Sequence, residues 1–162
     1  KGINMKNSQS LLILIISVTL LGCSVLPIKV GIKDNHFRFQ NFKKEKSSTL
    51  EYIHLMCFHK KETGWIESKQ YLSGEHNLWV KASISKRFIP RSNKEAFVNF
   101  KVNLDSDKSY ILNRKLAEGN ISIWIQELDT GLRISDVLVA PLKQPLLIER
   151  NLRRAQCESG TI

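Results

Sequence analysis

The chain has 162 residues, 25 Lys and Arg against 15 Asp and Glu, a formal charge of +10, and three cysteines. That length holds one ordinary domain with a core of its own and little beside it. Cys23, Cys57 and Cys157 lie far apart, and none has a companion at metal-ligand spacing, which argues against a structural zinc site.

Residues 1–4 precede a start at Met5 and stand outside the fold. Residues 5–10 are short and polar with one positive charge, Lys6. Residues 11–21 are apolar except for Ser17 and Thr19, and Gly22 puts a small residue before Cys23. Polar, apolar and small segments in that order read as a secretion signal over residues 5–22. The competing reading is a transmembrane anchor, which needs about 20 apolar residues to cross about 30 Å of hydrocarbon. This run is close to half that length, and Pro27 follows it. A buried core helix fits no better, because the run has no polar face.

Leu20-Leu21-Gly22-Cys23 resembles the lipobox of bacterial lipoproteins, with Leu21 where Ala, Ser or Thr is commoner. The resemblance implies that the Cys23 thiol carries a diacylglyceryl group, that the signal is cut before it, and that the new N-terminus takes an N-acyl chain. It implies no other cofactor. One acyl chain holds a protein weakly, whereas two or three hold it in effect permanently. Ser24, a residue other than Asp after the cysteine, implies by the same resemblance sorting to the outer membrane, facing the periplasm.

Removal of residues 1–22 takes Lys1 and Lys6 and no acid, leaving 23 Lys and Arg against 15 acids, a formal +8. The excess is clustered: residues 38–46 read RFQNFKKEK, 86–94 read KRFIPRSNK and 150–154 read RNLRR. Such clusters with interleaved aromatics suit nucleic acid in a cytoplasmic protein. Export removes that partner and leaves lipid head groups, phosphorylated lipid A sugars, cell-wall carboxylates or acidic envelope proteins. A plainly basic, soluble surface is the alternative. With Cys23 assigned to lipid, Cys57 and Cys157 remain for a disulfide in an oxidising compartment, or stay as two separate thiols. The bridge would close about 100 residues and add up to roughly 4–5 kcal/mol on the chain-entropy model.

Residues 23–48 read as a lipidated tether, with a weak edge strand over His36-Phe37-Arg38-Phe39. From Thr49 the apolar period becomes two. Residues 52–58 make a strand, and 70–72 lead into a Ser73-Gly74 turn. Leu78, Val80, Ala82 and Ile84 then alternate with polar or bulky neighbours, as do Ala96, Val98, Phe100, Val102 and Leu104. Residues 105–108 turn, 110–114 return, and Ile121, Ile123 and Ile125 continue the alternation. Asp129-Thr130-Gly131 reads as a hairpin turn into a strand over 132–139, and residues 146–156 as a short C-terminal helix. Alternation with turns every 8–12 residues or so predicts an all-β domain. The expected fold is an antiparallel β-sandwich of about 6–8 strands over residues 49–157, with 158–162 as a tail.

The stretch Tyr71-Leu72-Ser73-Gly74-Glu75-His76-Asn77-Leu78-Trp79-Val80 is similar to the strand opening of PEGA-type surface β-sandwich domains. Residues 100–104 with 109–112 resemble their next hairpin. The likeness spans about 40 residues and implies an envelope sandwich without catalysis, in which the Gly makes the turn and the His packs or caps it.

His54 and His59 are five apart, on opposite faces of a strand, so no metal is expected. Glu127, Asp129 and Asp136 surround a hairpin, where acids are usually solvated. There is no Gly-rich phosphate loop and no nucleophile elbow, so no catalytic residue and no enzymatic activity is expected. Trp79 and Trp124 fall opposite the apolar residues of their strands. With Lys81 and Phe97 they form a candidate contact surface, unless a second layer covers that face. The expectation is a membrane-anchored envelope lipoprotein whose sandwich serves as an accessory interaction domain. The alternatives are a periplasmic domain binding glycan, lipid A or anionic lipid and, third, a secreted hydrolase.

Overall fold

The computed structural model describes residues 31–146 and 150–160; residues 5–22, read above as a signal, Cys23, Ser24 and the first residues read as a tether lie outside them. In chain order the first strands are β1 (His36–Gln40), β2 (Phe42–Glu45), β3 (Thr49–Phe58), β4 (Lys61–Glu62) and β5 (Ser68–Leu72). Then come β6 (Gly74–Lys86), β7 (Lys94–Leu104), β8 (Ser109–Ala117), β9 (Asn120–Glu127), β10 (Leu138–Pro141) and one helix, α1 (Arg150–Ser159).

The strands form two sheets. One runs β10-β9-β8-β1-β5; the other runs β2-β3-β6-β7, with β4 on β3. Pairing is antiparallel except for β1 beside β8. The apolar sets read from the alternation face each other across the sandwich. Phe37, Phe39, Leu112, Ile121, Ile123 and Ile125 come from the first sheet, and Ile53, Leu55, Leu78, Val80 and Phe100 from the second. Each fully buried Leu, Ile or Phe contributes about 1.5–3 kcal/mol relative to exposure.

Residues placed in the tether belong to the sandwich, and the described residues from Ile32 onward pack as one unit. β1 is an interior strand rather than an edge strand, held between β5 and β8, with Phe37 and Phe39 buried. Its five residues are too few for alternation to stand out beside the basic run that follows. At Asn41 the chain passes from one sheet to the other, and that side chain replaces the ladder bonds lost at the corner. Its Nδ2 donates to the Ile66 carbonyl (2.5 Å) and its Oδ1 accepts from Leu55 N–H (2.8 Å). A second crossing in the same direction, from β5 to β6, uses Ser73, whose N–H donates to Asn35 O (2.9 Å), and Gly74 at φ 125, a conformation open to glycine.

The strand expected over 132–139 is shorter. Arg133 makes one isolated bridge to Gln126 of β9, and regular pairing with β9 covers only Leu138–Pro141. Ile134 N–H donates to Ile125 O (2.9 Å), but Ile125 N–H then binds Ser135 Oγ (2.9 Å), which itself donates to Asp136 O. A side chain takes the place of a main-chain partner there, and the ladder is interrupted until Leu138. The helix also sits later than expected, at Arg150–Ser159 instead of 146–156. Leu146 and Leu152, which suggested it, are exposed.

Candidate functional site

A one-residue bulge in β3 sets up the outer face of the second sheet. Leu55 pairs with Val80 and Cys57 with Trp79, so Met56 is the extra residue. Without it Cys57 would share the inner face with Leu55; with it, parity flips, Cys57 points outward and Phe58 packs on the main core. The bulge leaves backbone groups to satisfy. Asn41 takes Leu55 N–H, Thr63 Oγ1 donates to Leu55 O, and Thr63 N–H donates to Met56 O (2.8 Å).

The outward cysteine meets α1. Cys57 and Cys157 form a disulfide with Cα atoms 5.5 Å apart and 100 residues between them in sequence. Met56, Cys57 and Cys157 make a second small core, against which Trp79 and Phe97 pack. The inward face of α1 carries Arg153, Gln156 and Cys157, at helical spacing. Gly160, at φ 72, ends the helix, its N–H on Gln156 O (2.9 Å).

Glu95 is the electrostatic centre of this face. Its carboxylate accepts from Lys81 Nζ (2.5 Å) and Arg153 Nη2 (3.1 Å). The Arg153 guanidinium lies 4.5 Å from the Phe97 ring centroid and also donates to Gln156 Oε1 (3.1 Å). His54 is the cross-strand neighbour of Lys81. Burial, reinforced by the Lys81 charge, pushes its imidazole down to about 4, and its Nδ1 has no partner among the described residues. Trp65 packs edge-on against both His54 (5.8 Å) and Tyr52 (5.2 Å).

Beyond β10 the chain crosses from the first sheet to the second. Glu95 N–H donates to Lys143 O (2.7 Å) and Lys143 N–H to Glu95 O (2.9 Å), stitching this crossing to the edge of β7. Between the crossing, the sheet and α1 lies a cleft of about 630 Å³, lined among others by Trp79, Phe97, Lys143, Pro145, Leu146 and Arg153. Trp79 Nε1 is a buried donor without an acceptor among the described residues. The face therefore combines aromatic walls, rim cations and one unspent hydrogen-bond donor.

Of the four residues singled out from the sequence, Trp79, Lys81 and Phe97 come together here. Trp124 does not. It stands on β9 between buried Ile123 and Ile125, on the outer face of the other sheet, with Nε1 3.4 Å from Gln126 Oε1. The helix-covered half of the site was missed because the inward residues of α1 are Arg, Gln and Cys, which carry no apolar period. The one signal available was the Cys57–Cys157 pairing.

One further expectation changes. Glu127 is buried rather than solvated, bonded to Thr130 Oγ1 (2.8 Å) and Lys108 Nζ (3.2 Å); these partners hold its carboxyl below the usual range. His59, in the β3–β4 turn, does not approach His54 but faces buried His76, with Nε2 3.2 Å from His76 Nδ1. Burial first, and then the neighbouring His59, lowers the His76 pKa. Among the described residues no three His, Cys, Asp or Glu side chains converge to hold a metal ion. No family model, curated protein or solved structure matches the chain.

Proposed function

We propose that the chain is an envelope lipoprotein, anchored through acyl chains on Cys23, whose sandwich is a non-catalytic accessory domain that contacts another envelope component. The reading rests on the order of residues 5–23: a charged polar start, an apolar run too short to span a bilayer, and Gly22-Cys23. The Cys57–Cys157 bridge supports it, since structural disulfides persist in oxidising compartments. Ser24 favours an outer-membrane address under the same reading. Replacement Cys23→Ala tests it: acylation disappears, and the protein stalls or leaves the membrane fraction. Unchanged fractionation, with no lipid on the wild-type protein, overturns it. Crosslinking in intact cells then recovers a reproducible envelope partner.

One observation favours a second reading, binding of a glycan or an anionic lipid such as lipid A. The cleft beside α1 offers Trp79 Nε1 as a donor and Lys143 and Arg153 as cations around apolar walls. Binding of lipid A or cell-wall fragments that survives Trp79→Ala would remove this site from consideration.

A further inference from the structure

The loop between β6 and β7 holds two apolar side chains in water inside a group of cations. Phe88 is 78 % exposed and Ile89 52 %. Residues 86–94 contain Lys86, Arg87, Arg91 and Lys94 and no Asp or Glu. Among the described residues none of the four is in an ion pair. Arg87 acts at longer range on Glu45, but Tyr52 and Lys43 already hold that carboxylate.

The exposure is built into the loop. Ser92 Oγ accepts from Lys86 N–H (2.9 Å) and donates to Lys86 O (3.0 Å). Ile89 N–H reaches Lys86 O at 3.2 Å, and Ser92 N–H reaches Ile89 O at 3.3 Å. Arg87 N–H is fixed to Ser48 O (3.0 Å), which brings the neighbouring loop and its Lys46 alongside. A closed turn thus points Phe88 and Ile89 away from the sandwich.

Adjacent exposed apolar side chains ringed by unpaired cations fit a surface that is apolar beneath and anionic on top. We infer that the β6–β7 loop docks on an anionic phospholipid bilayer, with Phe88 and Ile89 at the acyl boundary and Lys86, Arg87, Arg91 and Lys94 on the phosphates. Its place in the fold suits this. The chain enters β1 at His36, which pairs with Leu72 beside Gly74, whereas the loop follows Lys86 at the far end of the 13-residue β6. That strand spans roughly 40 Å, so the loop faces away from the N-terminal entry. The inference goes beyond the anchor proposed above and does not depend on it.

The test places the intact chain in neutral phosphatidylcholine vesicles and adds dye-labelled vesicles with or without phosphatidylglycerol. Bridging of the phosphatidylglycerol vesicles alone is the expected result. A Phe88→Ser, Ile89→Ser variant, altered only at exposed positions, abolishes it while the near-ultraviolet circular dichroism stays unchanged. Each cation near an anionic surface is worth roughly five-fold in partition, so Lys86→Gln, Arg87→Gln and Arg91→Gln together lower capture by about a hundred-fold. If the chain does not insert in the neutral vesicles, the anchor reading fails, and the loop is read by direct flotation with phosphatidylglycerol vesicles. Equal capture of neutral and anionic vesicles, or capture that both variants retain, overturns the inference.

Discussion

Glu51 and Arg114 form an ion pair that joins the two sheets near one end of the core. Glu51 stands on the inner face of β3, and Arg114 of β8 donates to its Oε2 while stacking 4.5 Å from the Phe42 ring centroid. Both side chains are largely buried, 8 % and 15 % exposed. Breaking one partner leaves a desolvated charge, whereas replacing both removes the desolvation penalty with the attraction. Glu51→Ala or Arg114→Ala is therefore expected to cost about 3–5 kcal/mol, and Glu51→Leu with Arg114→Met much less. Urea unfolding of the wild type, the two single variants and the double variant measures this. Equal losses in the single and double variants would show that shape rather than charge carries the contact.

The Cys57–Cys157 bridge closes 100 residues, so its main action is on the unfolded chain. Cys57→Ser with Cys157→Ser is expected to lower stability by about 2–5 kcal/mol. Because Cys157 is also a main inward contact of α1, amide exchange should rise in α1 well before it rises in β8 or β9. A helix that stays protected in the double variant would mean that Arg153 and Gln156 suffice to hold it.

The long strands were legible because one face is buried and one is not. Ile121, Ile123 and Ile125 in β9, and Leu78, Val80 and Ala82 in β6, are fully buried where the alternation put them. The short elements were not. β1 has five residues, and its burial depends on β8, about 70 positions later, which no local pattern reports. Parity also failed wherever the backbone departed from regularity. The Met56 bulge turns Cys57 outward, and Ser135 interrupts the pairing with β9 between Arg133 and Leu138. Lys81, Trp79 and Phe97 lie together because they stand on adjacent strands of one sheet. Trp124 obeys the same alternation on a different sheet, and alternation alone does not say which sheet a strand joins.

Glu95 carries two cations at once, and its loss should be felt on both sides. Glu95→Gln keeps the shape but leaves Lys81 and Arg153 without their counter-charge on a mostly buried face. A cost of about 3 kcal/mol is expected. Removing Lys81 as well, as Glu95→Gln with Lys81→Met, should recover part of it. Thermal melts of the two variants decide this, and an identical midpoint for both would show that Arg153 accounts for the whole loss.

His54 makes the fold sensitive to mild acid. Its imidazole is held at about 4 in the folded chain against 6.5 when exposed, chiefly by burial and then by the Lys81 charge, with Glu95 opposing. The unfolded chain therefore takes up this proton first. The stability that His54 contributes is complete above pH 6.5 and is lost as the pH falls from 6.5 to about 4. That gap corresponds to about 3 kcal/mol at most. His76, lowered in the same direction, adds a loss of the same sign. The lowered carboxyls of Glu45 and Glu127 give up their contribution below their unfolded value of 4.5, so they act mainly under this window. In urea titrations at pH 7 and pH 4.5, wild-type protein should lose clearly more stability than His54→Gln, which has no proton to gain there. An equal loss in the two proteins would place the acid sensitivity elsewhere, with the His59–His76 pair next to examine through His76→Gln.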